Sequence, residues 1–379
     1  MSSIYQPVHE DFRKSLREYI ERELAPHADA WEEAEEFPRE VFERMGDLGF
    51  LGMQYPEEYG GGDDLLAEAV LHEELTCCGS IGLACGVGAH VGIAMPQINK
   101  FGSVEQKEKY LKPGIRGISM GALGITEPEA GSDVAGIKTY AVKDGNDWII
   151  NGSKTFITNG VRCDWVVLAV KTERDKGYAG ISQFVVEKST PGFEVSRKLK
   201  KLGWKASDTG ELAFMDCRVP GDALLGELNH GFRQIMANFA WERLIVALGT
   251  LGTAQLVLEM TMQYAKERQA FGRPIAKFQV ISHQLADMAT DLEAARHLTY
   301  HALSLYLEGA NPIREVSMAK LYSCDMVCRV ADQALQIYGG YGYMEEYPIA
   351  RIYRDVRVLP IGGGTREIMK EIIVKTMGL

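Results

Sequence analysis

Trp148-Ile-Ile-Asn-Gly-Ser-Lys-Thr-Phe-Ile-Thr158 places two runs of strand-forming residues on either side of Asn151-Gly152. Both residues of that pair tolerate the positive φ of a type I′ turn, so the stretch predicts a tight β-hairpin. Further β-type runs at 165–170, 181–186 and 211–215 extend the pattern, and the middle of the chain reads as a small antiparallel β domain. On both sides the period changes. Before it, apolar residues recur at three- and four-residue spacing, as in Phe12, Leu16, Tyr19 and Ile20, until Pro113-Gly114 breaks the pattern. After it, long helical segments are expected near 232–268, 278–308, 313–338 and 365–376, separated by Gly272-Arg273-Pro274 and Gly309-Ala310-Asn311-Pro312. The fold class is therefore α+β, mainly α: an N-terminal helical domain (1–117), a middle antiparallel β domain (118–229) and a C-terminal four-helix bundle (230–379).

A chain of 379 residues exceeds the size at which one core usually stops growing, which agrees with several domains sharing a large interior. The net charge of −11 repels a phosphate backbone, so no nucleic-acid partner is expected. The basic run Arg197-Lys198-Leu199-Lys200-Lys201 reads as a solvated loop edge. Seven scattered cysteines, an odd number, point to reduced thiols. The N-terminal MSSIYQPVHEDFRK has neither an apolar signal core nor an Arg-rich transit pattern, so a cytoplasmic location is expected. The weakly polar stretches 80–95 and 244–258 fall short of a bilayer span and read as buried helices, with no membrane insertion expected.

One residue breaks the helical pattern. Ile235, Phe239, Glu242, Val246 and Gly249 share a face at the 4-3-4-3 spacing of an apolar stripe, and Glu242 interrupts it. The positions one turn away hold Asn238, Phe239, Ile245 and Val246, none of them cationic. A carboxylate in such surroundings is costly unless paired, hydrogen-bonded or protonated. Two readings stand: a structural ion pair with a cation across the bundle, or a general base whose pKa burial has raised toward neutrality.

Neither a GxGxxG fingerprint nor a Walker loop is present, which disfavours a Rossmann dehydrogenase. His297 and His301 have metal-compatible spacing without the HExxH glutamate, and Cys324 and Cys328 share that spacing without companion ligands; no metal site is expected. Two glycine-rich segments suit close backbone approach to a polar ligand: Gly124-Ile-Thr-Glu-Pro-Glu-Ala-Gly-Ser-Asp-Val-Ala-Gly136 and Gln336-Ile-Tyr-Gly-Gly-Tyr-Gly342.

Together these segments resemble the signature motifs of the acyl-CoA dehydrogenase family. The likeness continues through Tyr347-Pro348, Arg351 and Arg354-Asp355, the Tyr55-Pro-Glu-Glu-Tyr-Gly-Gly-Gly62 loop, Glu267-Arg-Gln-Ala-Phe-Gly272 and Gly362-Gly-Gly-Thr-Arg-Glu-Ile-Met369. The resemblance implies FAD as cofactor, an acyl-CoA substrate and a homo-oligomer, usually a tetramer. By position, Leu123, Ile125 and Thr126 would line the flavin, Ser132 would meet the flavin and the CoA portion, Phe156 would pack on the flavin ring, and Thr158 would hydrogen-bond near N5. Arg268, Phe271, Gln279, Gln336, Gly339, Gly340, Thr365 and Glu367 resemble residues that a neighbouring subunit gives to FAD. Arg243, Gly363 and Gly364 would meet the substrate.

The resemblance also carries a departure. In many members the catalytic glutamate precedes the Gly-Thr pair of the C-terminal motif, where this chain has Gly363. Long-chain and isovaleryl-type members carry the base on a bundle helix in a Glu-Arg-Leu context, which Glu242-Arg243-Leu244 matches. The implied reaction is α,β-dehydrogenation of a medium- or long-chain or branched acyl-CoA in fatty-acid β-oxidation. Glu242 takes the α-proton and flavin N5 the β-hydride, with an electron-transferring flavoprotein as acceptor. Gly79, Gly82, Gly86, Gly88 and Gly92 admit two readings, room for a long acyl chain or close helix packing. The rival functions are an acyl-CoA oxidase or flavin monooxygenase on the same fold, and a non-catalytic acyl-CoA-binding scaffold; the presence of Glu242 with complete flavin motifs argues against the scaffold.

Overall fold

The computed structural model describes residues 4–379. The first block is helical: α1 (Pro7–Tyr19), α2 (Ala28–Ala34), α3 (Glu40–Asp47), α4 (Leu65–Leu75), α5 (Ile81–Gly88), α6 (Met95–Phe101), α7 (Val104–Gln106) and α8 (Lys112–Ile115). Asp64 and Ser80 start α4 and α5 by accepting hydrogen bonds from the N–H groups of Ala67 and Leu83, which would otherwise lack partners. A π-helical turn at Ala89–Ala94 joins α5 to α6. The resulting rod of 21 residues, and the 37-residue helix Gly231–Glu267, are long and apolar enough to cross a bilayer, contrary to the reading of 80–95 and 244–258 as too short. Their most apolar windows are 89% and 67% buried inside the protein, so the core accounts for that apolarity.

The middle block is one eight-stranded sheet: β1 (Gly121–Gly124), β2 (Tyr140–Asp144), β3 (Asp147–Thr158), β4 (Trp165–Lys171), β5 (Ile181–Glu187), β6 (Phe193–Lys198), β7 (Thr209–Val219) and β8 (Leu224–Leu225). The order is β6-β7-β3-β2-β4-β5-β8, with β1 attached to β4. Most pairings are antiparallel. β1 runs parallel to β4, and β2 meets β4 in parallel where Tyr140 faces Lys171. Every residue of β4 is buried, as befits a strand covered on both faces.

The hairpin expected at Asn151-Gly152 is not formed there. β3 runs straight through both residues, and the turn lies earlier, at Gly145-Asn146 between β2 and β3, where Gly145 has φ 63°. Gly152 sits instead at a register shift against β7 with φ 145°, and a Cβ on it would stand 2.4 Å from Thr139 Oγ1. Asn151 is engaged across the sheet, donating from Nδ2 to Asp216 Oδ1 (3.1 Å) and accepting from Asp216 N (2.9 Å). The special backbone freedom of this pair serves a bulge rather than a turn.

The last block contains α9 (Gly231–Glu267), α10 (Gln279–Leu307), α11 (Ile313–Tyr338), α12 (Pro348–Val356) and α13 (Arg366–Thr376), with a two-stranded ribbon of β9 (Gln269–Ala270) and β10 (Arg273–Pro274) between α9 and α10. Helix α12, nine residues long, escaped the periodicity reading. The bundle core joins Leu251, Ala254 and Val257 of α9 to Met288 and Leu292 of α10 and Val327 and Val330 of α11. Helix α9 also belongs to the first block. A Cβ on Gly252 would fall 1.8 Å from Glu73 O, so α4 and α9 touch backbone to backbone.

The loop between β6 and β7 pins the three blocks together. Trp204 N donates to Asp355 Oδ1 (2.6 Å), while Ala206 N and Ser80 Oγ donate to Glu32 Oε1 (3.1 and 3.0 Å). Glu32 Oε2 and Asp355 Oδ2 are buried without partners. Burial, reinforced by the nearby Glu32 carboxylate, raises the Asp355 pKa to about 7. An unfolded aspartate titrates at about 4, so this contribution to stability is complete below that pH and is lost as pH rises through the folded value. Asp355→Asn keeps the Oδ1 acceptor and is expected to raise Tm more at pH 8 than at pH 5. Equal shifts in thermal unfolding at the two pH values would contradict this.

Candidate active site

Glu242 lies on α9 between Trp241 and Arg243 and is 7% exposed. Asn238 Nδ2, one turn earlier, donates to its Oε1 at 2.9 Å. Among the described residues no Lys, Arg or His lies within ion-pairing distance, so the reading of Glu242 as half of a contact ion pair fails. Burial pushes its pKa up to about 7 against the opposing effects of the Asn238 bond, Arg243 and Lys100. The carboxyl group can thus change charge at neutral pH, which an ordinary surface glutamate does not do.

Arg243 is also buried, at 8% exposure. Its guanidinium lies 5.2 Å from the centre of the Phe239 ring, its Nε has no partner, and burial lowers its pKa. A buried cation without a counterion is costly, and a polar or anionic ligand would relieve that cost.

The Gly363-Gly364 turn packs against the same helix. A Cβ on Gly363 would lie 3.8 Å from Val246 Cγ2, and one on Gly364 3.8 Å from Arg243 Nε. Both glycines have positive φ, 66° and 104°. Val246 is one turn beyond Glu242, so side chains launched from 242 or from 363 enter neighbouring space. Lys320 of α11, 1% exposed, holds the turn by donating to the carbonyls of Leu359 (2.9 Å) and Gly364. Thr365 Oγ1 caps α13 by accepting from Ile368 N at 3.3 Å, and Glu367 is exposed in the first turn of that helix.

The segment 124–136 crosses to α9 on an apolar contact. Ile125, Ala130, Val134 and Ile137 pack with Phe232, Ile235 and Phe239. Its polar anchor is Glu127, which accepts from Lys138 N (2.6 Å), Thr139 N (3.0 Å) and the buried Lys154 Nζ (2.8 Å); Lys154 also donates to Ile125 O (3.0 Å). Leu123, Ile125 and Thr126 are half-buried, and Ser132 is exposed. The hydroxyls of Thr126 and Ser132 make no hydrogen bond within the described chain, which leaves both available to a ligand. Thr155 N donates to Thr126 O (2.9 Å), tying the segment to β3. There Phe156 occupies the left-handed region (φ 61°) at a register shift and exposes 67% of its surface. Such a backbone costs a non-glycine residue roughly 1 kcal/mol. The strained bulge turns an aromatic ring outward beside free hydroxyls, and Thr158 at the end of β3 is half-buried beside the Cys85 thiol. This donor and ring set fits a flat, polar-edged cofactor such as a flavin.

The remaining expected cofactor residues stand elsewhere. Arg268, Gly339 and Gly340 line a cavity of about 470 Å³ with Tyr264, Tyr338 and Tyr341, and the Arg268 guanidinium lies 5.3 Å from the Tyr341 ring centre. None of Leu123, Ile125, Thr126, Phe156 or Glu242 lines it. Gln279 and Gln336 are exposed. Phe271, at φ 51°, exposes 96% of its surface. A single chain does not bring this second set onto the first.

Three of the five glycines in the stripe, Gly82, Gly86 and Gly92, serve close packing. A Cβ on Gly82 would meet Trp204 at 3.0 Å, on Gly86 the Phe37 ring at 3.0 Å, and on Gly92 the Ile245 Cδ1 at 2.5 Å. Three contributors escaped the sequence reading: Asn238, Lys154 and Lys320. The available signal was a polar or charged residue at a position whose period demanded burial, the same signal that exposed Glu242.

A helical block, a sheet and a helical bundle, with a buried carboxyl group of near-neutral pKa on the bundle's first helix and an outward-turned aromatic on the sheet, define a three-block α+β protein with the groups for proton transfer and for holding a flat cofactor. Models of the acyl-CoA dehydrogenase N-terminal, middle and C-terminal domains match residues 6–118, 122–217 and 229–378. The chain is 42% identical to the mitochondrial long-chain specific acyl-CoA dehydrogenase of Mus musculus over 98% of its own length and 87% of that protein's. It is 39% identical to a short-chain specific acyl-CoA dehydrogenase of Clostridium acetobutylicum, covering 95% of each. The crystal structure of an acyl-CoA dehydrogenase from Geobacillus kaustophilus superimposes with TM-score 0.97 at 43% identity, over all of both chains. The chain belongs to the acyl-CoA dehydrogenase family, whose members are flavoprotein oxidoreductases.

Proposed function

We propose that this enzyme oxidises a long-chain or branched acyl-CoA thioester to its trans-2-enoyl-CoA. The observation that carries the reading is Glu242: a buried carboxyl group without a counterion, with a pKa of about 7, beside the Gly363-Gly364 turn. Its carboxylate removes the substrate's α-proton. Bound FAD supplies the acceptor for the β-hydride. The backbone N–H groups of Gly363 and Gly364 are available as donors to the thioester oxygen, where negative charge develops as the proton leaves. Lys320 holds that turn in place, and the unpartnered Arg243 contributes positive charge to the substrate's polar end. Phe156, Thr126, Ser132 and Thr158 form the platform for the cofactor.

Relatives with long-chain and short-chain specificity both lie near 40% identity, so overall similarity does not rank substrates. The location of the carboxylate on α9, with glycine at 363, supports the long- or branched-chain subgroup, whose members share that arrangement. Phe271, Arg268, Gln279, Gln336, Gly339 and Gly340 serve the cofactor of a neighbouring subunit, which makes the working unit an oligomer, a tetramer by family resemblance. An electron-transferring flavoprotein is the electron acceptor.

The test is anaerobic flavin reduction by a series from butyryl- to palmitoyl-CoA together with isovaleryl-CoA. Palmitoyl- or isovaleryl-CoA is expected to give a higher ratio of reduction rate to Kd than butyryl-CoA. Preference for butyryl-CoA would overturn the chain-length assignment, and rapid reoxidation of the reduced enzyme by air would favour an oxidase.

A further inference from the structure

Glu242 is approached by a chain of polar groups that the proposed reaction leaves unused. Lys100, on the surface at the end of α6, donates from Nζ to Asn238 Oδ1 at 3.0 Å. Asn238 is 0% exposed and donates from Nδ2 to Glu242 Oε1 at 2.9 Å and to Gly92 O at 3.3 Å. An amide's oxygen and nitrogen are easily interchanged in placement, but an ammonium has only donors. Lys100 therefore turns the amide oxygen toward itself and the nitrogen toward the carboxylate. Both directions of the amide nitrogen are then committed. Oε1 of Glu242 is held, while Oε2 has no donor among the described residues.

We propose that Asn238, oriented by Lys100, is a positioning residue that grips Glu242 by Oε1 and leaves Oε2 as the oxygen that receives the substrate's α-proton. The inference rests on Glu242 being the base. Other charged or titratable groups near this stretch of α9 are Arg243 on the helix itself, the His72–Glu68 pair of α4 behind Trp241, and Lys320 of α11 near Arg243. None of these donates to Glu242. Losing Asn238 would free the carboxylate to rotate, would remove a hydrogen bond that favours its ionised form, and would leave the Lys100 ammonium without the acceptor that holds it near the carboxylate. The active, ionised fraction at neutral pH would fall, and the base would sit less well aligned.

The experiment follows anaerobic flavin reduction by palmitoyl-CoA in the holoenzyme from about pH 5.5 to about pH 9. Asn238→Leu is expected to keep its flavin and its substrate Kd, to slow reduction at pH 7 by roughly 10- to 100-fold, and to move the acid limb of the rate profile to higher pH. Lys100→Met, a change at the surface that does not threaten the fold, is expected to move the limb in the same direction by less, and Lys100→Arg to restore it. Wild-type rates and limb in both Asn238→Leu and Lys100→Met would overturn the proposal, as would slower reduction with an unmoved limb. Glu242→Gln in the same assay separates the two ideas. If it is inert while Asn238→Leu and Lys100→Met match wild type, only the positioning role falls; if it reduces normally, the base assignment falls and the positioning role with it.

Discussion

Glu242→Gln is expected to purify yellow and to remain unbleached when acyl-CoA is added without oxygen. The loss in flavin-reduction rate should be roughly 10²- to 10⁴-fold, the range for removing a general base, and toward the upper end because a thioester α-proton is only weakly acidic. The substitution preserves shape, and the side-chain oxygen of the introduced glutamine can still accept from Asn238 Nδ2. It should not harm the fold. The folded pKa of Glu242, about 7, lies above the ordinary glutamate value, so its contribution to stability is complete below the unfolded pKa and is lost as pH rises through about 7. A neutral side chain escapes that loss, and the variant should be at least as stable as the parent at pH 8. In the parent, the reduction rate should rise with pH through about 7, because only the ionised carboxylate accepts a proton. Bleaching of the glutamine variant at the parental rate would remove Glu242 from the mechanism.

Lys154→Met should be the most damaging single change to the cofactor platform. Lys154 is buried in β3 and holds Glu127 and the carbonyl of Ile125. Burial lowers its pKa to about 8, and Glu127 is itself held below the usual carboxylate range, so the pair is ionised at neutral pH. Removing the lysine leaves a buried carboxylate with only the N–H groups of Lys138 and Thr139. Breaking such a pair costs about 3–5 kcal/mol, a large share of the roughly 5–15 kcal/mol that stabilises a typical domain. The expected results are a lower urea midpoint and a reduced ratio of flavin to protein absorbance, since the 124–136 segment loses its anchor. Adding Glu127→Gln should recover much of the midpoint by removing the stranded charge. A wild-type midpoint and full flavin content in Lys154→Met would refute the anchoring role.

Much of this architecture follows from local pattern. The four long helices of the last block begin and end within about two residues of where the 3.6-residue period and its Gly and Pro terminators place them. Strands β4 and β5 were visible as continuous apolar runs, whereas β1, β2 and β6 are short or carry too many polar residues to stand out. Helix α12 is too short for its period to register. At the site, Glu242 was legible because it violates a period, and the segments at 124–136 and 336–342 because glycine and hydroxyl residues cluster there.

By itself, then, the sequence determined the order of the three blocks, the helix that carries the anomalous carboxylate, and the family motifs around it. These depend on residues a few positions apart, which meet in any helix or strand. The tertiary structure decided the rest. Whether Asn151-Gly152 turns or bulges depends on Thr139 and Asp216; whether the glycines of α5 and of the π-helical turn after it make room or make contact depends on Trp204, Phe37 and Ile245. Gly363 meets Val246, Lys154 meets Glu127, and Lys100 reaches Asn238 only once distant segments pack. Glu242 itself spans both: its oddity is a matter of period, but its lack of a contact ion pair and its raised pKa arise from what the folded chain puts around it.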